Sequence, residues 1–220
     1  MKTKLFTILF FLSISFQPIL AQIKQGKIIY KINYPSVDIP ADQKAMLPSE
    51  STCYFSNNNC RTESDGIMGM KMVTICVKDQ MTLLLDIMGK KIAMNPRDNQ
   101  SMKTKTPTIS YSDEVKKIAG HDCKKATLIF DENTKMTVWC AEDITGGGSW
   151  GGNFENLKGA PLEYTADLNG MSMTMTASKV SEEKVSKKKF DLKHLLCFEL
   201  YQCCMVDQVH NSNIVAGFSY

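Results

Sequence analysis

Apolar and polar positions alternate along most of this chain with a period of two. In "KIIYKINY", Ile28, Tyr30, Ile32 and Tyr34 fall on one side of an extended backbone, and Lys27, Lys31 and Asn33 on the other, with Ile29 the exception. That pattern predicts a strand buried on one face. "LEYTADL" repeats it, with Leu162, Tyr164, Ala166 and Leu168 alternating with Glu163, Thr165 and Asp167. "MSMTMT" follows, with Met171, Met173 and Met175 alternating with Ser172, Thr174 and Thr176. Between these two runs, Asn169-Gly170 supplies the residues that tolerate the positive φ of a two-residue hairpin.

The same reading extends over the rest of the chain. "STCYFSNNNCRTES" predicts a hairpin about an Asn-rich turn. "MKMVTICVKD" and "MTLLLDIMGKKIAMN" predict consecutive strands joined near Asp79-Gln80 and at Gly89-Lys90. "ATLIF" and "KMTVWC" predict two more, folded about the turn residues "DENT". "PSVDIPADQKAMLP" reads as a loop with one helical turn, and "NPRDNQSMKTKTP" as a polar connection. "ITGGGSWGGNFENLKGAP" reads as a mobile glycine-rich connection with one short helix, Trp150 being an anchor or a ligand contact. Roughly nine or ten strands, and no long amphipathic helix before residue 190, predict a mainly β, antiparallel domain with few short helices. Period alone leaves a closed barrel and an open curved sheet both available.

The ends change the picture. Lys2 and Lys4, the apolar run "LFTILFFLSISF", Pro18 and the small residue Ala21 have the layout of a secretory signal peptide over residues 1–21, cleaved near Ala21. The run is too short for a membrane-spanning helix. A periplasmic or secreted protein follows as the expectation, with a β domain over 22–192 and an atypical Cys-rich tail over 193–220. The 26 basic and 23 acidic residues come to near balance once Lys2 and Lys4 are removed. No basic cluster marks a nucleic-acid footprint. The one basic run, "KVSKKKF", reads as a solvated strand end.

Eight cysteines survive cleavage at Ala21. In an oxidising compartment pairing is the default, with on the order of a hundred full connectivities open. Folding about "DENT" brings Cys123 and Cys140 near each other, within reach of a disulfide. A metal reading starts from His121-x-Cys123 but lacks a second ligand pair at the usual spacing. A reactive thiol lacks a C-x-x-C partner. Cys53 and Cys60 flank "YFSNNN" and form a second disulfide candidate, leaving Cys76 to pair with Cys197, Cys203 or Cys204 or to stay free.

Methionine is the unusual residue, 14 in all. Met68, Met70 and Met72 alternate in "MGMKM", as Met171, Met173 and Met175 do in "MSMTMT". Three readings stand: core filling, a pliable apolar groove for a lipid-like ligand, or soft thioether ligands for Cu(I) at Met171, Met173 and Met175. Catalysis finds little support. There is no G-x-S-x-G elbow, "GGGSWGG" lacks the Gly-Lys-Ser/Thr of a phosphate loop, and adjacent carboxylates such as Glu142/Asp143 fall on opposite strand faces.

"GKIIYKI", "KKIAGHDCKKATLIF", "MTVWCAEDI" and "LKGAPLEY", in that order, resemble the exported domain-of-unknown-function family 4412 (DUF4412) and, more distantly, the GLPGLI family of periplasmic proteins. The residues that carry the resemblance are Ile118, Gly120, Cys123, Ala126, Trp139, Gly159, Pro161 and Leu162, within roughly residues 24–190. His121 stands where that family has an aromatic, Cys140 departs from it after Trp139, and "KHLLCFELYQCC" replaces its usual ending, as a reading frame displaced near Lys193 would. The resemblance implies no assigned activity and no cofactor. It implies a half-barrel sheet similar to LolA-type lipoprotein carriers. The resulting expectation is a non-enzymatic binding protein for a lipid-like or hydrophobic ligand in a groove lined by Met70, Met72, Trp150, Met171, Met173 and Met175. A Cu(I)-handling protein and a structural or partner-binding envelope domain are the alternatives.

Overall fold

The computed structural model describes residues 22–35, 40, 46–66, 69–78, 80–96, 106–132, 134–148, 150–168 and 171–192, without the side chains of 167, 168 and 171. The helical turn expected in 35–48, the 97–105 connection, the Asn169-Gly170 turn, Met68, Cys197, Cys203, Cys204 and the tail lie wholly or largely outside the described residues.

Among the described residues the chain forms eleven strands: β1 Gln25–Asn33, β2 Glu50–Ser56, β3 Asn59–Asp65, β4 Lys71–Val77, β5 Gln80–Ile87, β6 Lys90–Met94, β7 Thr108–Ile118, β8 His121–Ile129, β9 Lys135–Ala141, β10 Ala160–Leu168 and β11 Met171–Glu182. They make one open, curved, antiparallel sheet in the order β6-β5-β4-β3-β2-β1-β11-β10-β9-β8-β7. Two meanders, β1 to β6 and β7 to β11, are joined at the centre by the β1–β11 pairing and run outward to opposite edges. Two short 3-10 turns, Gly152–Phe154 and Lys187–Phe190, accompany them among the described residues.

Turn chemistry sets the register. Asn57–Asn58 (φ 50° and 62°), Met88–Gly89 (52° and 83°) and Ala119–Gly120 (49° and 91°) each place two successive residues at positive φ. That is the two-residue turn whose twist matches the flanking strands. The strand beginning at Thr108 goes beyond the nine or ten expected. It is an edge strand whose alternation is broken by a register shift between Tyr111 and Val115 and whose residues are mostly exposed.

The buried face of the sheet carries the alternation read from the sequence. Ile28, Tyr30 and Ile32 are buried together with Phe55, Leu128, Val138, Leu162 and Met175. Residues 142–159 fold back over this face and supply Ile144, Trp150, Phe154 and Leu157 to the same core. The Trp150 ring lies 5.3 Å from Phe55, and Phe154 lies 4.7 Å from Tyr164. The Tyr30 hydroxyl donates to the Pro161 carbonyl at 2.8 Å, so the one polar atom of a buried ring is satisfied. The glycine-rich segment is therefore a docked cover, not the loose connection expected. A Cβ on Gly146 would sit 1.8 Å from the Lys24 carbonyl oxygen, so only glycine permits this approach.

The face of β4 and β5 turned away from the main core holds a second, smaller core of Ile75 and Leu84 with Val73, Val77, Ala93 and Leu192 packed against it. This end of the sheet is apolar on both sides, and it carries the groove described below.

Candidate ligand-binding groove

Strands β2 to β6 and the Lys187–Phe190 turn enclose a groove of about 700 Å³. Val73 and Leu84 pair across β4 and β5 on the groove face, and Met72, Leu85 and Ile92, which alternate to the other face, border it; its charged lining includes Arg61, Glu63, Lys71, Asp86 and Lys189. The volume falls within the range of about 300–1,000 Å³ usual for small-molecule pockets. The charged wall is organised by strand geometry: Arg61 and Glu63 are two residues apart on β3 and so share a face. Arg61 is only 5% exposed; its Nε donates to Glu63 Oε1 at 2.6 Å and its Nη1 to the Lys189 carbonyl at 3.3 Å. Lys189 Nζ reaches the same Glu63 oxygen at 3.2 Å and lies 3.8 Å from the centre of the Tyr54 ring. Glu63 thus gathers two cations and ties the C-terminal turn to the sheet. Arg61 and Lys189, both tied to Glu63, set a charged wall beside the apolar Val73 and Leu84, which suits an amphiphile better than a uniformly greasy ligand.

The methionines and Trp150 do not converge. Met72 borders this groove, 39% exposed, but register sets it on the face of Cys76, away from Val73 and Leu84, and Met70 is half-buried beside β4. Met173 and Met175 are on β11, with three strands (β3, β2 and β1) between them and β4, roughly 19 Å of sheet at usual strand spacing. Met175 is 6% exposed and its sulfur accepts the Tyr164 hydroxyl at 2.9 Å. Met173 packs against the main core, and Trp150 is buried in it. Met171 takes its place on β11, where it opposes Leu168. With its sulfur buried and engaged by Tyr164, Met175 is a poor candidate for a solvent-reachable Cu(I) ligand. Among the described residues no group of three His, Cys, Asp or Glu is disposed to hold a metal.

Neither proposed disulfide is present, and register gives the reason. Cys53, Cys60, Cys76, Cys123 and Cys140 are all buried free thiols. The loop between β8 and β9 is five residues, 130–134, closed by the Phe130 amide donating to the Thr134 carbonyl at 3.0 Å. This pairs Cys123 with Ala141 and Lys124 with Cys140. A one-residue offset puts the two cysteines on opposite faces. The Asn57–Asn58 turn likewise pairs Cys60 with Phe55 and Cys53 with Thr62, so Cys53 and Cys60 are diagonal neighbours. Burial pushes the Cys123 thiol up to about 12 and the Cys140 thiol to about 11, which keeps both protonated and unreactive at neutral pH.

His121 has a structural partner that sequence reading missed. Its Nδ1 lies 2.6 Å from Asp143 Oδ2, and the Asp143 carbonyl accepts the Ile23 amide at 2.8 Å, so the pair fastens the start of the domain to the β9–β10 connection. Arg61 and Lys189 were also missed. The i, i+2 spacing of Arg61 and Glu63 was the available signal, whereas nothing local places Lys189, 126 positions later, beside Glu63.

No protein-family model matches the chain, and no curated protein matches it. Among solved structures the chain is similar to PNGF-II in two crystal forms. In the P21 form it shows 17% identity over 76% of this chain and 30% of that one, with a TM-score of 0.48. It therefore spans less than a third of PNGF-II. It is also similar to the lipoprotein LppX of Mycobacterium tuberculosis, with 13% identity over 74% of this chain and 89% of that one and a TM-score of 0.35. LprF from Mycobacterium bovis follows at 9% identity, 74% and 88% coverage and a TM-score of 0.31. The antiparallel sheet itself rests on the strand pairing described above.

Proposed function

We propose that this chain is an exported, non-enzymatic binding protein that holds an amphiphilic, lipid-like molecule in the groove across β2–β6. The observation that carries the reading is the pairing of an apolar trough at Val73 and Leu84 with the buried Arg61 and its Glu63–Lys189 partners along one groove of about 700 Å³. An alkyl chain would be held by burial, at roughly 0.8 kcal/mol per CH₂, and its polar end by the charged wall. The signal-like first 21 residues support export. In this reading Met173 and Met175 belong to the main core, and Met72, set by register on the face away from Val73 and Leu84, borders the groove without lining its trough.

Displacement of a fluorescent fatty-acid analogue tests this. Val73→Glu, half-buried on the groove face of β4 where it pairs with Glu63 and Leu84, is expected to weaken binding at least tenfold, because it sets a charge against the alkyl chain. Met175→Leu, a near-isosteric core change, is expected to leave binding within about twofold. The reverse pattern would move the site to β11, and equal affinity in both variants would remove the groove from the account.

A further inference from the structure

Three of the buried cysteines form a group of their own. Cys60 on β3 is directly opposite Cys76 on β4, and Cys53 on β2 is its diagonal neighbour across the other ladder. All three share the core side of the sheet, and the Cys60 thiol interacts with both of the others. We infer that these residues form a three-thiol redox site, in which Cys60 and Cys76 make the disulfide and Cys53 is the reserve partner for Cys60.

Backbone spacing selects the pair. Directly opposed residues of an antiparallel ladder have Cα atoms about 4.5–5.5 Å apart, inside the range a disulfide spans. Diagonal neighbours are about 7–8 Å apart and need backbone movement to be bridged. Cys53 is the readier of the Cys53 and Cys60 pair to ionise: interaction with the Cys60 thiol lowers its pKa against the opposing effect of burial, with a further lowering contribution from Thr62. It is therefore suited to exchange, whereas Cys60 is held protonated by its contacts with Cys53 and Cys76 and by burial.

The chemistry balances with a disulfide-bearing oxidant. The donor's S–S bond breaks and the Cys60–Cys76 bond forms. Two electrons pass from the cysteines to the donor, and the two thiol protons end on its two sulfurs. In the exchange, the Cys53 thiolate attacks the Cys60 sulfur. Cys76 leaves as a thiolate and takes up the proton that Cys53 gave away. Access depends on the glycine-rich cover: a Cβ on Gly151 would stand 3.0 Å from the Cys76 sulfur, so this segment sits on the thiols. The three cysteines lie within residues 53–76 and the cover comes at 146–152, so the β2–β4 meander can be oxidised before the cover docks. The inference rests on neither the groove nor its ligand.

The test is peptide mapping of the full chain, refolded from the reduced state with oxidised and reduced glutathione. Cleavage after Lys44, Arg61, Lys71 and Lys78 leaves Cys53 and Cys60 on one peptide and Cys76 on another; further cleavage after Tyr54 and Phe55 separates Cys53 from Cys60. The expected result is a Cys60–Cys76 cross-linked peptide in excess over both linear forms, lighter than their sum by two hydrogens. In Cys76→Ser the Cys53–Cys60 loop is expected to replace it. Any other dominant pairing of these three in the unmutated chain, one to Cys197, Cys203 or Cys204 included, overturns the inference, as does recovery of all three as free thiols. Absence of the Cys53–Cys60 loop in the variant overturns the reserve role.

Discussion

Phe55→Ala is expected to lower stability by about 3–5 kcal/mol, seen as a reduced urea midpoint with an unchanged slope. Phe55 is fully buried on β2 and carries the cover segment as well as the sheet. Its ring meets Trp150 at 5.3 Å, and a Cβ on Gly146 would come within 2.9 Å of it, so the cover is fitted to its shape. Removing the ring leaves a cavity that the rigid neighbours cannot fill: the Gly146 carbonyl accepts the Asn58 amide at 2.9 Å, and the Thr145 amide donates to the Ile23 carbonyl at 3.0 Å. A loss below about 1.5 kcal/mol would show that the 142–159 segment collapses freely and that the glycine run is the loose linker its composition suggests.

Stability under reducing conditions is expected to fall steeply above pH 9. The Cys123 and Cys140 thiols are both fully buried, and burial raises them from 9.0 to about 12 and about 11. In the unfolded chain these thiols lose their protons from about pH 9, while the folded protein still holds them. The unfolded state then binds fewer protons, and stability declines by about 1.4 kcal/mol per pH unit for each thiol. The contribution is intact below about pH 9 and is lost as pH rises through about 11 and 12. It amounts to about 4 kcal/mol for Cys123 and about 3 for Cys140, large against the roughly 5–15 kcal/mol that holds a domain together. Burial also raises Tyr30 and Tyr164, which add to the decline only at higher pH. Urea denaturation of the reduced chain and of Cys123→Ala between pH 7 and 10 separates the two: the variant should lose about one thiol's slope. A flat profile to pH 10, or an unchanged slope in the variant, would contradict the assignment.

The class of fold was legible because the strands near the sheet centre are buried on one side only. In β1 the alternation of side chains and the alternation of burial coincide, so period two in the letters becomes period two in the structure. β7 hid because both its faces are largely exposed and its register shift breaks the period. The cysteine pairings failed for a sharper reason. A hairpin's register depends on which residues occupy the turn, and an offset of one residue between "DENT" and the five-residue loop exchanges the faces of Cys123 and Cys140. The cover segment was illegible because the atoms that require its glycines, the Lys24 and Asn58 carbonyl oxygens, lie about a hundred residues away. The groove was not legible: the alternation that marked Met72 sets it on the other face from Val73 and Leu84, and Arg61 and Lys189 acquire their meaning only when Glu63 brings them together.

Native mass spectrometry of the chain purified from a periplasm, without added detergent, addresses the central claim most directly. The expected result is protein carrying a copurified mass of an acidic or zwitterionic amphiphile, with that mass lost in Val73→Glu and retained in Met175→Leu. Bare protein in every preparation, or a bound mass that Val73→Glu leaves in place and Met175→Leu removes, would contradict a ligand groove on β2–β6.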